Sequence, residues 1–244
     1  MSVAIALENI TRGFSAKDGL VLDRINLEVE SGEFVAIVGA SGCGKSTLLN
    51  VMCDLDRGYS GTFVKEQSAS LMFQDSALLP WLTVLENVEL PMSINGESKT
   101  SRREVAMDLL EKVNLEHSVH KRPHELSGGM RQRVAIARAL AQKNKILLMD
   151  EPFGALDAIT RDVLHDELSD IWLENKLTIV FVTHNVREAV RLGQRVLLMS
   201  SRPGTFIREW RVNLPEPRRI DSPEVALLAR EITDELRKEI RRHG

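Results

Sequence analysis

The residues best suited to chemistry gather around one glycine-rich stretch, Gly39-Ala40-Ser41-Gly42-Cys43-Gly44-Lys45-Ser46-Thr47. It fits the pattern of two glycines with four residues between them, followed by lysine and serine. Glycines let the backbone wrap closely enough that several N–H groups point at one anion. The helix predicted through Leu48, Leu49, Val51 and Met52 would aim the positive end of its dipole at the same place. The chemistry implied is phosphate binding, with Lys45 reaching the outer phosphates and the Ser46 hydroxyl ligating Mg²⁺. The alternative is a plain glycine-rich turn, and the strand-loop-helix setting weighs against it. Cys43, beside Lys45 at a helix N-terminus, is expected to have a depressed pKa.

Met149-Asp150-Glu151 closes an apolar run with two adjacent carboxylates, and neighbouring strand residues point to opposite sides. They therefore have different tasks: Asp150 binds Mg²⁺ directly or through an intervening group, and Glu151 polarises a water that attacks the γ-phosphate. Leu126-Ser127-Gly128-Gly129-Met130 leads into a helix in which Ser127 is an N-cap, and the glycines expose donors to a second anion. By itself that signal is weak. A single histidine after a buried strand, His184, is on its own terms more often structural than catalytic.

The elements that must hold these groups follow from hydrophobic periodicity. Between Val3 and Phe34, Ile25, Leu27 and Val29 alternate with polar Asn26, Glu28 and Glu30, which predicts half-buried antiparallel strands. Phe34 to Val38 is continuously apolar, as are Ile146 to Met149, Thr178 to Val182 and Val196 to Met199. Such runs fit strands covered on both faces, and their separation by helical stretches predicts an α/β fold with a mainly parallel sheet. Residues 75 to 125 lack a strand-like run and read as a helical insertion, with Pro80 and Pro91 as punctuation and a helix from Ser101 to Val113. Three prolines, Pro215, Pro217 and Pro223, mark a linker. Beyond it Val225, Ala229, Ile232, Leu236 and Ile240 form an amphipathic helix with Ser222 as cap and Pro223 in its first position. Its apolar stripe packs on the body of the protein or binds a partner.

Composition narrows the class. At 244 residues the chain corresponds to roughly 1.6 typical domains. Its 43% hydrophobic and 27% charged residues are those of a globular protein. Two cysteines, Cys43 and Cys53, make no disulfide framework and fit a reducing cytosol. A net charge of −3 gives none of the basic excess that holds a protein on nucleic acid. No apolar run is long enough to span a bilayer, and the N-terminus does not read as a secretory signal.

Order and combination carry the functional signal. The phosphate loop at Gly39 to Thr47, Gln74, the Leu126 to Met130 stretch, Ile146 to Pro152, Gly154-Ala155-Leu156-Asp157 and Val182-Thr183-His184 together resemble the nucleotide-binding subunits of ATP-binding cassette (ABC) transporters. The resemblance covers roughly residues 5 to 205. It implies a P-loop NTPase core with a mainly parallel sheet, an N-terminal antiparallel β subdomain and a helical subdomain inserted at about 75–129. An ATPase domain over 1–205 would then be followed by a C-terminal extension over 206–244.

The resemblance also implies roles. Phe14 would stack on adenine, without the hydroxyl of the commoner tyrosine, and Gly39, Ser41, Gly42, Cys43, Gly44, Lys45, Ser46 and Thr47 would cradle the phosphates. Gln74 would join Ser46 at Mg²⁺, together with Asp150, and sense the γ-phosphate. Ser127, Gly128 and Gly129 would bind the γ-phosphate held by the other subunit of a head-to-tail homodimer, and Asp157 would communicate across that interface. His184 would contact the γ-phosphate and hold the attacking water with Glu151. The implied cofactors are ATP and Mg²⁺. The implied partners are integral-membrane permease subunits facing Asp75 to Glu89 and, indirectly, a substrate-binding protein. The chain would sit peripherally on the cytoplasmic side of the cell membrane, with no nucleic acid partner.

Three departures stand out. Met130 replaces a glutamine, Asn185 replaces an aspartate, and the interval from Gly61 to Gln74 is short enough that a strand of the antiparallel subdomain is trimmed or missing. Ala77 to Val88 and Ser201-Arg202-Pro203-Gly204 look like importers of nitrate, sulfonates, taurine and related small molecules. Trp81 is then either an anchor of the helical insertion or a contact to the membrane partner. An ABC-type ATPase outside transport, in DNA repair or translation, is the competing function. It would need a long coiled-coil insertion, or paired cassettes and basic segments, and none is present in this sequence.

Overall fold

The computed structural model describes residues 2–15, 19–154 and 156–243. Alternating apolar residues build β1 (Val3–Gly13) and β2 (Leu20–Glu30), and β4 (Ser60–Lys65) completes a three-stranded antiparallel sheet in the order β2-β1-β4. Ile25, Leu27 and Val29 of β2 are buried while the intervening residues face water, as period-2 patterning requires. Only residues 66–68 separate β4 from the next strand, so the short interval holds no further strand.

The continuous apolar runs become the second sheet. β3 (Phe34–Gly39) leads through the phosphate loop to α1 (Lys45–Met52), and β5 (Ala69–Met72) enters the same sheet. After the helical segment come β6 (Ile146–Asp150), β7 (Thr178–Thr183), β8 (Arg195–Met199) and β9 (Phe206–Arg211), giving the order β5-β6-β7-β3-β8-β9. All neighbours are parallel except β9, an antiparallel edge strand on β8. Its sequence, Phe206-Ile207-Arg208-Glu209-Trp210-Arg211, buries mainly Trp210, the signature of an edge rather than of a central strand.

Alternation divides the core into two layers. Phe34, Ala36 and Val38 face the helices, while Val35 and Ile37 face α1 and the antiparallel sheet. On the helical side lie α2 (Val84–Ile94), α3 (Lys99–Lys112) and α4 (Gly128–Leu140). They are followed by α5 (Ala158–Asn175), α6 (Val186–Leu192) and α7 (Pro223–His243). Residues 84–94 and 99–112 are thus helical, and Pro91 lies inside α2 rather than ending the helix. A capping box between Thr83 and Glu86 starts that helix. Most of the apolar stripe of α7 packs on the body: Val225, Ala229 and Ile232 are buried and Leu236 partly so, while Ile240 near the end is exposed. No helix among the described residues is long and apolar enough to cross a membrane.

Candidate functional site

Register places the chemistry. Val38 of β3 pairs with Thr183 of β7, and Asp150 of β6 pairs with Val182, so three parallel strands end at one edge. Ligands of open α/β sheets bind beyond such carboxyl ends. The Gly39–Gly44 loop, Glu151 and His184 all leave the sheet there and surround a cleft of about 610 Å³. Phe14, Ser41, Gly42, Gly44, Lys45, Ser46, Thr47, Gln74, Glu151 and His184 line it. Val21 and Arg202 line it too, although neither is a site candidate from sequence. Val21 carries no sequence signal, whereas Arg202 lies in a stretch whose resemblance points to substrate class rather than to nucleotide.

Glycine is required at the loop's last position. Gly44 has φ 107°, and a Cβ there would lie 2.8 Å from Leu22 Cδ2 and 3.0 Å from the Val21 carbonyl. Lys45 Nζ donates to the carbonyls of Gly39 and Ala40, each at 2.9 Å, which seats the ammonium within its own loop. Gly39, Cys43 and Asp150 stand behind the lining residues rather than in them. The expected depression of the Cys43 pKa does not occur. Its side chain is 1% exposed, and burial pushes the thiol up, against the opposing pull of Lys45, whose Nζ is 3.8 Å from Sγ. Desolvation of the thiolate outweighs the helix terminus because the side chain points into the core.

At the end of β6 the two carboxylates have different surroundings, Glu151 lying one residue beyond the strand. Asp150 is partly buried and bonded to Ser46; burial raises its pKa, and Glu151 adds to that while Ser46 and Lys45 oppose it. Glu151 has φ 45°, an uncommon conformation for a non-glycine residue. Its Oε2 accepts a hydrogen bond from Gln74 Nε2 at 3.3 Å and faces His184 Nδ1 at 3.1 Å. Three residues separated widely in sequence therefore meet on one carboxylate oxygen. Phe14 is 58% exposed, with the Arg12 guanidinium 4.3 Å from its ring centroid.

The loop bearing His184 has its own support. Buried Glu188 accepts from Thr183 Oγ1 at 2.9 Å and Asn185 Nδ2 at 3.0 Å, and pairs with Arg161 of α5 at 3.3 Å. Asn185 also caps α6 by accepting from the Arg187 N–H at 3.1 Å, which gives this position a structural task.

Ser127, Gly128, Gly129 and Asp157 do not line the cleft. Ser127 caps α4, accepting from the Met130 N–H at 3.2 Å, and Asp157 caps α5, accepting from the Thr160 N–H at 3.0 Å. The two helix starts touch: a Cβ at Gly129 would lie 2.7 Å from Thr160 Cγ2. Ala155 of the Gly154–Asp157 stretch lies outside the described residues.

Comparison with known proteins agrees with this geometry. Residues 22–154 match the family described as ABC transporter. The chain is 47% identical to a nitrate import ATP-binding protein of Synechocystis, covering 86% of this chain and 83% of that one. It is 40% identical to an aliphatic sulfonates import ATP-binding protein of Bacillus licheniformis, over 96% of this chain and 94% of the relative. A bicarbonate transport ATP-binding protein of Synechocystis is 45% identical over 90% of this chain, which spans only 35% of that relative. Among solved structures, a dimeric ATP-binding cassette in a post-hydrolysis state with ADP and phosphate superposes with a TM-score of 0.78. It is 34% identical and is covered completely by 86% of this chain.

Proposed function

The chain belongs to the ABC transporter family and carries its ATPase domain, and from that premise we propose that it is the motor subunit of an importer for a small oxyanion or related solute. The observation that carries the proposal is the convergence of Gln74 and His184 on Glu151 at the mouth of the phosphate-loop cleft. Glu151 would polarise the attacking water, His184 would hold that water and the γ-phosphate, and Lys45 would offset charge on the outer phosphates. Phe14 would stack on adenine. Ser46, Asp150 and the Gln74 amide oxygen would supply hard oxygen donors suited to Mg²⁺, an ion that would neutralise phosphate charge when bound. Phosphoryl transfer of this kind is mainly positioning and electrostatics.

Ser127, Gly128, Gly129 and Asp157 would act on the nucleotide of a second copy, giving a head-to-tail homodimer that closes over two ATP. Their position off their own cleft supports this, as does the dimeric cassette among similar structures. Closure on ATP and opening after hydrolysis would drive a permease, placing the chain on the cytoplasmic face of the membrane. The segment after Gln74 is the proposed contact. Trp81 is 66% exposed there, while Asn87 donates to the carbonyls of Leu79, Leu82 and Thr83 beneath it. Arg138 of α4 holds the same segment through the Ser76 and Ala77 carbonyls, both at 2.7 Å, linking it to the helix that Ser127 caps.

The names of the similar proteins support nitrate, an aliphatic sulfonate, bicarbonate or a related molecule as cargo, and taurine, itself a sulfonate, falls within that class. Copurification with an integral-membrane permease, followed by reconstitution with its binding protein, tests the proposal. Stimulation of ATP hydrolysis by one of these solutes is the expected result. Hydrolysis indifferent to all of them would sink the cargo class, and failure to recover any permease would sink the transport role.

A further inference from the structure

The stretch Ser201-Arg202-Pro203-Gly204 has no part in the phosphate chemistry above, yet Arg202 lines the nucleotide cleft. Its Nε approaches the Leu20 carbonyl at 3.4 Å, which puts the side chain on the β2 side of the cleft with Val21 and Phe14. The loop that carries it is built rather than loose. The Ser200 N–H donates to the Thr205 carbonyl at 2.8 Å, and the Ser200 hydroxyl donates to the Pro203 carbonyl at 2.8 Å. Ser201 N–H reaches buried Glu239 of α7 at 3.1 Å. Gly204 donates to the Val21 carbonyl at 2.8 Å and accepts from the Asp23 N–H at 3.0 Å. A Cβ at Gly204 would lie 2.2 Å from the Cys43 carbonyl, so the loop rests directly on the backbone of the phosphate loop. Arg202 is therefore carried in fixed relation both to the phosphate loop and to the strand that follows Phe14.

Among the described side chains lining the cleft, Lys45 and Arg202 are the two permanent cations, and Lys45 is turned inward onto Gly39 and Ala40. Phe14 offers a ring but no polar group, and among the described residues Arg202 is the charged donor at the base end of the cleft. A guanidinium offers a planar fork of donors to phosphate or sugar oxygens. We propose that Arg202 is a further nucleotide-binding residue, holding the ribose and α-phosphate that ATP and ADP share. The inference rests on reading this cleft as the ATP site.

The test is calorimetric titration of the full chain with Mg·ATP and with ADP, comparing wild type, Arg202→Ala, Arg202→Lys and, as a control, Lys45→Ala. Losing a charge-assisted bond predicts a roughly tenfold or greater loss of affinity for both nucleotides in Arg202→Ala. Arg202→Lys should retain more affinity than Arg202→Ala. In turnover, Arg202→Ala should raise KM for ATP with kcat nearly unchanged, the pattern of uniform binding. Unchanged affinity in Arg202→Ala, a loss confined to ATP, or Arg202→Lys no better than Arg202→Ala would each overturn the assignment. Should Arg202→Ala fold poorly, the rise in its Tm on adding ADP, measured from its own ligand-free Tm, gives the same comparison. A wild type that binds neither nucleotide would instead overturn the reading of the cleft itself.

Discussion

Glu151 combines a left-handed backbone with a carboxylate shared by Gln74 and His184. A non-glycine residue held in that region costs on the order of 1–3 kcal/mol and persists only where its surroundings enforce it. The backbone N–H of Glu151 is tied to the Val182 carbonyl at 3.0 Å, which aims the side chain across the strand ends. Glu151→Gln keeps the shape and hydrogen-bond acceptor but loses the base, so ATP binding should persist while turnover falls by about 10²–10⁴-fold. A filter-binding assay beside a phosphate-release assay checks both halves, and unchanged turnover would remove Glu151 from its proposed role. Cys43 gives the opposite lesson. A buried thiol with a raised pKa should react with an alkylating reagent far more slowly than partly exposed Cys53 at neutral pH, with or without ATP. Mass spectrometry of the labelled peptides would show this; rapid labelling of Cys43 would mean the loop opens. The motif residues were legible because spacing alone identifies them. The side-chain direction of Cys43 was not, since it depends on Gly39 and Met199 packing behind the loop.

Between α5 and α6 lies a charged seam that sequence periodicity hides. Arg191 of α6 pairs with Asp162 and Asp166 of α5 at 2.7 and 2.8 Å and meets His165 Nδ1 at 3.2 Å. His165 is fully buried with its ring against Phe153, and burial, then Arg191 and Arg161, lower its pKa from 6.5 to about 3. A depressed histidine means the unfolded chain binds the proton more readily. The stability it contributes is whole above pH 6.5 and drains away as pH falls toward 3, amounting to roughly 5 kcal/mol at most. Glu188 works in reverse: burial raises its pKa above 4.5, so its protonated form favours folding and that favour is lost as pH rises through the folded value. Urea unfolding between pH 7 and 5 should show stability falling in the wild type and a flatter dependence in His165→Leu; parallel slopes would contradict the buried neutral histidine. The strands were readable as apolar runs because the sheet buries both faces. Pro91 and β9 were not, because a helix that continues through proline and a strand with one buried aromatic each take their identity from neighbours.

At the scale of the molecule, each chain holds a complete phosphate cradle and, elsewhere on its surface, the capped helix starts of Ser127 and Asp157. In the proposed head-to-tail dimer a second copy would bring the two together. Light scattering of Glu151→Gln with ATP should report twice the mass of the nucleotide-free chain, and adding Ser127→Arg should abolish dimerisation while leaving nucleotide affinity intact. A monomer in the first case, or a persistent dimer in the second, would refute the head-to-tail arrangement. By itself the sequence determined the fold class, the phosphate loop, both carboxylates and the family, because glycine spacing, strand-length apolar runs and motif order are local properties of the chain. Only the tertiary structure decided which side chains share the cleft, that Cys43 turns away from it, and that Arg202 and Val21 belong to it. Those outcomes depend on strand register and on contacts between residues far apart in sequence, where packing and desolvation, not local spacing, choose the arrangement.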